Sequence, residues 1–339
     1  MLVSAAKGAA PVFDRPAQMV FERILVPLDG SPIAERALRH AARLARTFGS
    51  RVLLLRVLDT QSAIFESHPD CAAWRLHRLE ARRYISRIAR KSASLGIEPD
   101  WYLAEGRPAE QIHRFIQAHD VDLVILNAYG EGEAFEFPFG GTAHKIALTP
   151  GISCIVLRSD EREDVDTPHY RKILVPLDGS KRAEWAIKVA AGMTADTPAE
   201  VVLLQVILLP EMLGRKPLTR EDAALHERLA DRNRSVAETY LRETRREHAA
   251  NLPVRTRIET SANVARTILD VAADEDVDLI ILAAHAPDET SVRIHKAVCQ
   301  SVLAHSDRPV LILQQTGGGP SRGTTRRQVN IVERKLVET

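Results

Sequence analysis

The sequence predicts two tandem doubly wound α/β domains, and three observations carry that expectation. First, the octapeptide Ile24-Leu-Val-Pro-Leu-Asp-Gly-Ser31 recurs letter for letter at Ile173–Ser180, an offset of 149 residues. Second, short apolar runs alternate with longer stretches of helical period. Third, those apolar runs are continuous, as strands of a parallel sheet covered on both faces must be. Strand–helix alternation of this kind implies right-handed crossovers and a doubly wound sheet. The 339 residues suffice for two ordinary domains.

Within the first copy the elements follow in order. Ile24–Leu28 reads as a strand, and Ser31–Phe48 as a helix with Ser31 at its cap, Pro32 at its first position and Gly49 at its end. Ile33, Ala37, Leu38, Ala41, Leu44, Ala45 and Phe48 give that helix one buried stripe. Then come a strand over Val52–Leu58, a charged helix near 72–95, a strand near Trp101–Ala104 and a helix near 108–118. The strand Leu123–Leu126 opens into a glycine-bearing loop, followed by a helix over 142–149 and a last strand ending at Leu157. In the second copy Val206 keeps the 149-residue offset from Val57. Val277–Leu282 matches Val121–Leu126 at an offset of 156, so this copy has gained seven residues, most simply around 208–250. There Arg220–His248 reads as a long solvated helix with an apolar stripe through Ala224, Leu225, Leu229, Val236, Tyr240 and Leu241. The closing strands are Cys154–Leu157 and Val310–Leu313. The resulting division is a flexible extension over 1–20, a domain over 21–160, a linker over 161–170, a second domain over 171–315 and a disordered tail over 316–339.

Composition excludes several classes of function. Lys+Arg 46 against Asp+Glu 45 leaves a formal charge of +1, with no long-range field to gather nucleic acid or an anionic membrane. No apolar run approaches the roughly 20 residues of a membrane helix. Cys71, Cys154 and Cys299 are far apart and odd in number, which suits reduced, buried thiols in the cytosol. The twelve histidines form no metal-ligand pattern. No nucleophile elbow or P-loop lysine is present, so hydrolase and P-loop chemistry have no foothold.

In a doubly wound sheet a ligand lies beyond the carboxyl ends of the strands, where strand order reverses. Asp29 stands at that point, placed to accept hydrogen bonds from a ribose or an adenine edge, and equally placed to cap the helix that follows. After the strand 123–126, Asn127-Ala-Tyr-Gly130 and Gly140-Gly141-Thr142 flank a nine-residue loop. Glycines at a strand-to-helix junction let backbone amides approach phosphate oxygens.

The duplicated Ile-Leu-Val-Pro-Leu-Asp-Gly-Ser opening and this glycine-bearing loop resemble the universal stress protein family over residues 23–158 and 172–314. The resemblance implies Rossmann-like domains, each with a five-stranded parallel sheet of order 3-2-1-4-5 and, in many members, bound ATP. By position it implies adenine and ribose contacts at Pro27, Asp29 and Val57. Phosphate contacts would fall at Asn127, Gly130, Gly140, Gly141 and Thr142. It also implies that the closing strands of the two domains pair across a pseudo-two-fold axis, so that one chain imitates a homodimer.

Two departures matter. Asn127 stands where the family has its first glycine, and Gly141 where it has a Ser or Thr hydroxyl, with Thr142 one residue late. The loop between carries Glu131, Glu133 and Glu136, which would repel a triphosphate unless Mg²⁺ lay between them, or which simply face water. In the second copy Pro176, Asp178 and Val206 are retained, but Ala283, Ala286, Lys296 and Ala297 replace the two glycines and the closing Gly-Ser pair. Each added Cβ blocks close backbone approach, although Arg293, His295 and Lys296 can still attract an anion. The expectation is a non-enzymatic stress-response regulator binding ATP or ADP in domain 1, beside a degenerate second site. The alternatives are a scaffold acting through protein contacts and a slow Mg-dependent ATPase or self-phosphorylating protein.

Overall fold

The computed structural model describes residues 21–60, 72–129, 140–158, 168, 170–195, 198–208, 220–250, 252–284, 291–314 and 329–335. The first copy runs β1 (Arg23–Leu28), α1 (Pro32–Glu35), α2 (Ala37–Phe48), β2 (Arg51–Leu58), α3 (Ala72–Lys91), β3 (Asp100–Glu105), α4 (Pro108–Ala118), β4 (Leu123–Asn127), α5 (Gly141–Ala147) and β5 (Ser153–Leu157). The second runs β6 (Lys172–Leu177), α6 (Lys181–Met193), β7 (Glu200–Leu208), α7 (Arg220–His248), β8 (Val254–Ser261), α8 (Val264–Asp274), β9 (Leu279–Ala283), α9 (Ser291–His305) and β10 (Val310–Leu313). The helix expected over 31–48 is interrupted at Arg36, which keeps helical angles (φ −60°, ψ −33°), so α2 continues the path of α1 with one irregular turn.

Both copies form the expected parallel order. With β11 (Ile331–Lys335) added at one edge, the full sheet reads β11-β3-β2-β1-β4-β5-β10-β9-β6-β7-β8, which is 3-2-1-4-5 followed by its reverse. The strands are apolar on both sides because both sides are covered. Ile24 and Val26 face a layer built from α2, α3, α6 and α7. Leu25 and Val124 face the opposite layer, built from α4, α5, α8 and α9.

The copies join at their closing strands. β5 and β10 pair antiparallel, with Val156 opposite Val310 and Ile155 opposite Leu311. Just past these strands each copy holds the end of the other's last helix. Arg158 donates to the carbonyls of Ala304, in the last turn of α9, and Ser306, just past it, at 2.8 and 2.7 Å. Gln314 accepts from the Gly151 amide at 2.7 Å and donates to the Ala147 carbonyl of α5. On the other layer α2 packs against α6 so closely that a Cβ at Gly192 would lie 2.9 Å from the Phe48 ring. A Cβ there would force the Phe48 ring to move, so glycine suits the position by proximity rather than by backbone angle.

The tail corrects the sequence-based expectation. Residues 331–335 are not disordered: Ile331–Lys335 forms β11, antiparallel to β3 at the outer edge of the first copy. The Glu105 amide donates to Asn330 O at 3.1 Å, and Asn330 N donates to Gln111 Oε1 at 3.3 Å. Arg82 of α3 pairs with Glu333 at 3.0 Å. Val329 and Ile331 pack into one layer and Val332 into the other. Glycine and arginine dominate the composition of the whole tail and hide a short β-branched run, Ile331-Val332, that suits an edge needing a partner. Residues 316–328, like the extension 1–20, lie outside the described residues. A second correction concerns α7, whose expected stripe is not buried along its length. Ala237 and Leu241 are buried, but Leu229 is 42% and Val236 62% exposed.

Candidate functional site

The octapeptide ends in a turn that both copies build identically. Gly30 and Gly179 adopt φ of +98° and +83°, angles that a side chain disfavours. Asp29 Oδ1 accepts from the Ser31 amide at 2.9 Å and from its hydroxyl at 2.6 Å, and Ser31 Oγ in turn accepts from Ala34 N, capping α1. In the second copy Asp178 Oδ1 accepts from Ser180 N at 2.9 Å, and Ser180 Oγ caps α6 through Ala183 N. The caps are thus Ser31 and Ser180, while Asp29 and Asp178 each accept from the capping serine's backbone amide.

Above the first copy's turn lies a cavity of about 540 Å³, at the carboxyl ends of β1, β2 and β4. This is the switch point of the sheet, and the volume lies within the range of small-molecule sites. Pro27, Asp29, Val57, Asn127 and Thr142, all anticipated from the sequence, line it together. Its apolar walls are Leu55, Ile112 and Leu126, and Pro108 closes one end. Gly140 and Gly141 are not among its lining residues. Gly140 caps α5 and donates to Ala128 O at 2.7 Å, while Gly141 is the exposed first residue of that helix. Gly130 and the acids Glu131, Glu133 and Glu136 lie outside the described residues.

Asn127 is 9% exposed and its side-chain amide donates to the Ile33 carbonyl, tying β4 to α1. Its Oδ1 is buried with no hydrogen-bond partner among the described residues. The side chain therefore offers an acceptor rather than a donor. That suits a ligand hydroxyl or amine better than a phosphate oxygen.

Three polar residues of the cavity escaped the sequence reasoning, namely Arg56, Asp59 and His77. Arg56 Nη1 donates to Leu28 O at 3.3 Å, and its guanidinium comes within 3.4 Å of the point where a Gly30 Cβ would stand. The signal was available: in Leu-Arg-Val the strand β2 carries a cation beside Val57, where β7 has Gln205 beside Val206. Behind the turn, Tyr84 of α3 is half-buried, and its phenol is pushed up by burial and then by the Glu35 carboxylate. Tyr129 forms another wall, with the Arg158 guanidinium 5.6 Å over its ring. Because Arg158 also holds α9, that wall is in contact with the second copy.

In the second copy Pro176 lies near the end of β6 with Asp178 just past it, Val206 lies in β7, and Ala283 ends β9. Lys296 and Ala297 lie on α9, and Ala286 is outside the described residues. Cys154 and Cys299 are buried, and burial pushes the Cys154 thiol far up and that of Cys299 up to about 11. Cys71 lies outside the described residues. Among the described residues no group of three His, Cys, Asp or Glu side chains is arranged to hold a metal, and no helix is long and apolar enough to cross a membrane.

The model of the universal stress protein family matches the chain twice, over residues 21–158 and 169–314. The chain belongs to the universal stress protein family. A universal stress protein of Methanocaldococcus jannaschii is 22% identical over 153 residues, covering 44% of this chain and 89% of the relative. One from Thermus aquaticus is 26% identical over 144 residues, covering 41% of this chain and all of the relative. Each of these two relatives thus matches about one copy. A solved universal stress protein from Archaeoglobus fulgidus covers 88% of this chain and 99% of its own, at a TM-score of 0.62 and 15% identity. A solved putative universal stress protein from Pseudomonas aeruginosa covers 87% and 94%, at 0.58 and 15%. That likeness extends across both copies and concerns the fold.

Proposed function

We propose that this universal stress protein is a non-enzymatic cytoplasmic regulator that binds an adenine nucleotide, ATP or ADP, in its first copy. The observation that supports this best is the 540 Å³ cavity at the switch point, with Asp29 at its floor and Pro27, Val57 and Leu126 in its walls. Apolar walls suit a base, and a carboxylate beside the capped turn suits ribose hydroxyls. Arg56 supplies positive charge to the same cavity. The phosphates would lie toward Thr142, with Mg²⁺ relieving the repulsion of acids, while the Asn127 acceptor would face a ligand hydroxyl or amine. In the second copy the Cβ atoms of Ala283 and Ala297 and the side chain of Lys296 favour a structural role. The antiparallel join then makes the chain its own pseudo-dimer.

The nucleotide content of freshly purified protein tests the reading. About one ATP or ADP per chain is expected, lost in Asp29→Ala and kept in Ser31→Ala. The second variant removes the cap without removing the carboxylate. No nucleotide, and none bound on adding ATP and Mg²⁺, would leave the scaffold alternative. Phosphate release abolished by Asp29→Ala would instead establish the slow ATPase.

A further inference from the structure

The helix α3 carries six arginines and one lysine against a single acid, Glu80. The helix at the equivalent place in the second copy, α7, carries seven basic and seven acidic residues. The fold therefore does not require this concentration of charge. At the 156-residue offset, Arg75, Arg82, Arg87 and Lys91 correspond to Asp231, Glu238, Glu243 and Glu247.

The inner side of α3 is settled by its packing, with Trp74, Ala81, Ile85 and Ile88 buried. Helical geometry then places Arg75, Leu76, Leu79, Glu80, Arg82, Arg83, Ser86, Arg87 and Arg90 on the outer half, where Glu80 is the one carboxylate that α3 contributes against five arginines. Leu76 and Leu79 are 54% and 49% exposed. Some of the cations are already engaged: Arg78 with Glu105 at 2.6 Å, Arg82 with Glu333, and Arg87 and Lys91 with Glu35 at 4.0 and 3.9 Å. Arg75, Arg83 and Arg90 have no carboxylate within 4 Å among the described residues. A shallow groove of about 260 Å³ runs along Leu79, Arg82, Arg83, Ser86 and Arg90.

We infer that this face is a docking surface for an acidic amphipathic helix of a partner protein. Arg75 and Arg82, and Arg83 and Arg90, are each seven residues apart, or about 10.5 Å of helix. That is the spacing at which a second helix laid alongside presents carboxylates once per two turns. Arginine forks take carboxylates with two parallel hydrogen bonds. Leu76 and Leu79 supply an apolar anchor at one end, the arrangement that helix-in-groove recognition uses. The other candidates fit less well. A membrane-surface helix inserts its apolar face, whereas that of α3 is buried against the sheet. Single-stranded nucleic acid needs exposed aromatic platforms, and the outer half of α3 has none.

The test uses the full chain and a synthetic capped helical peptide with glutamate at heptad spacing around leucines, followed by fluorescence anisotropy. Micromolar binding is expected, weakening about tenfold between low and physiological salt. Arg83→Glu with Arg90→Glu should weaken it at least tenfold, and Leu79→Ala several-fold, with thermal melting and nucleotide content unchanged. A glutamine version of the peptide should bind far more weakly. Four results would overturn the inference: no binding by the wild type, equal binding by the doubly charge-reversed variant, preference for phosphatidylserine vesicles or duplex DNA over the peptide, or self-association that the charge reversal abolishes, which would make a second copy the occupant. The nucleotide readout is separate from all four, so failure here leaves the proposed function standing.

Discussion

At the outer edge of the first copy, β3 is paired with the chain's own tail. At the outer edge of the second, β8 carries Arg255 and Arg257, held by Glu200, Glu259, Asp274 and Glu275. Both edges face the same hazard, since an unpaired strand is a template for another chain. One copy covers its edge and the other charges it. The same divergence appears at the switch point, where Arg56 leans over the first turn and Gln205 holds the corresponding place in the second. It appears again in the strongly basic α3 and the balanced α7. What the two copies share, from the octapeptide to the closing strands, is what the sheet and its turn demand. What differs is what faces outward or lines the crevice.

The comparison can be broken most forcefully at the join. Leu311→Pro removes a ladder donor from β10 between β5 and β9, at a residue with no exposure, and should cost about 3 kcal/mol or more. Loss of cooperative melting and aggregation on expression are the expected outcome, and a soluble variant melting like the wild type would contradict the pairing. Next in size is truncation after Gln328, which uncovers β3 and should cost about 2 kcal/mol through lost edge hydrogen bonds. Amide exchange should accelerate at Leu103 and Glu105 while β8 stays unchanged. Equal acceleration at both edges would argue against selective cover. Asp29→Ala and Asp178→Ala should each cost about 1 kcal/mol through the lost hydrogen bond to the capping serine. Only the first should release nucleotide, so the pair separates the shared role of the aspartate from the role proposed for one copy.

The smallest effect is pH dependence in the second copy. Burial tends to raise the Glu275 carboxyl, but the Lys172 hydrogen bond and the Arg255 and Arg257 charges outweigh it and hold the group below its ordinary value of 4.5. A depressed carboxylate contributes stability that is complete above its unfolded value and is lost as pH falls through the folded one. Acid should therefore weaken β6–β8 from about pH 4.5 downward. Glu275→Gln should flatten that slope in a melting series, and an unchanged slope would remove Glu275 from the account.

Much of this molecule could be read from the chain alone. Repetition of Ile24–Ser31 and continuous apolar strands identify a parallel sheet because burial on both faces leaves few other residues to use. Pro27, Asp29 and Val57 could be placed because they sit at strand ends, where topology fixes position. Arg56 was missed because attention went to the loop after β4, although a cation at the end of β2 overhangs the same crevice. Asn127 was legible as a residue but not as an acceptor, since its amide orientation depends on Ile33, 94 positions away. β11 was missed because its strand character has meaning only beside β3, an edge that the local sequence cannot reveal.

That last strand has a consequence for how the protein is made. A chain emerging at about 5–20 residues per second folds its first domain early. The partner of β3 lies more than two hundred residues downstream, so for roughly 10–45 s, at those rates, the first domain has a bare edge. During synthesis β3 is thus open to pairing with neighbouring nascent chains. The cover arrives only after the whole second copy has been made, so synthesis of the second domain must precede closure of the first domain's edge.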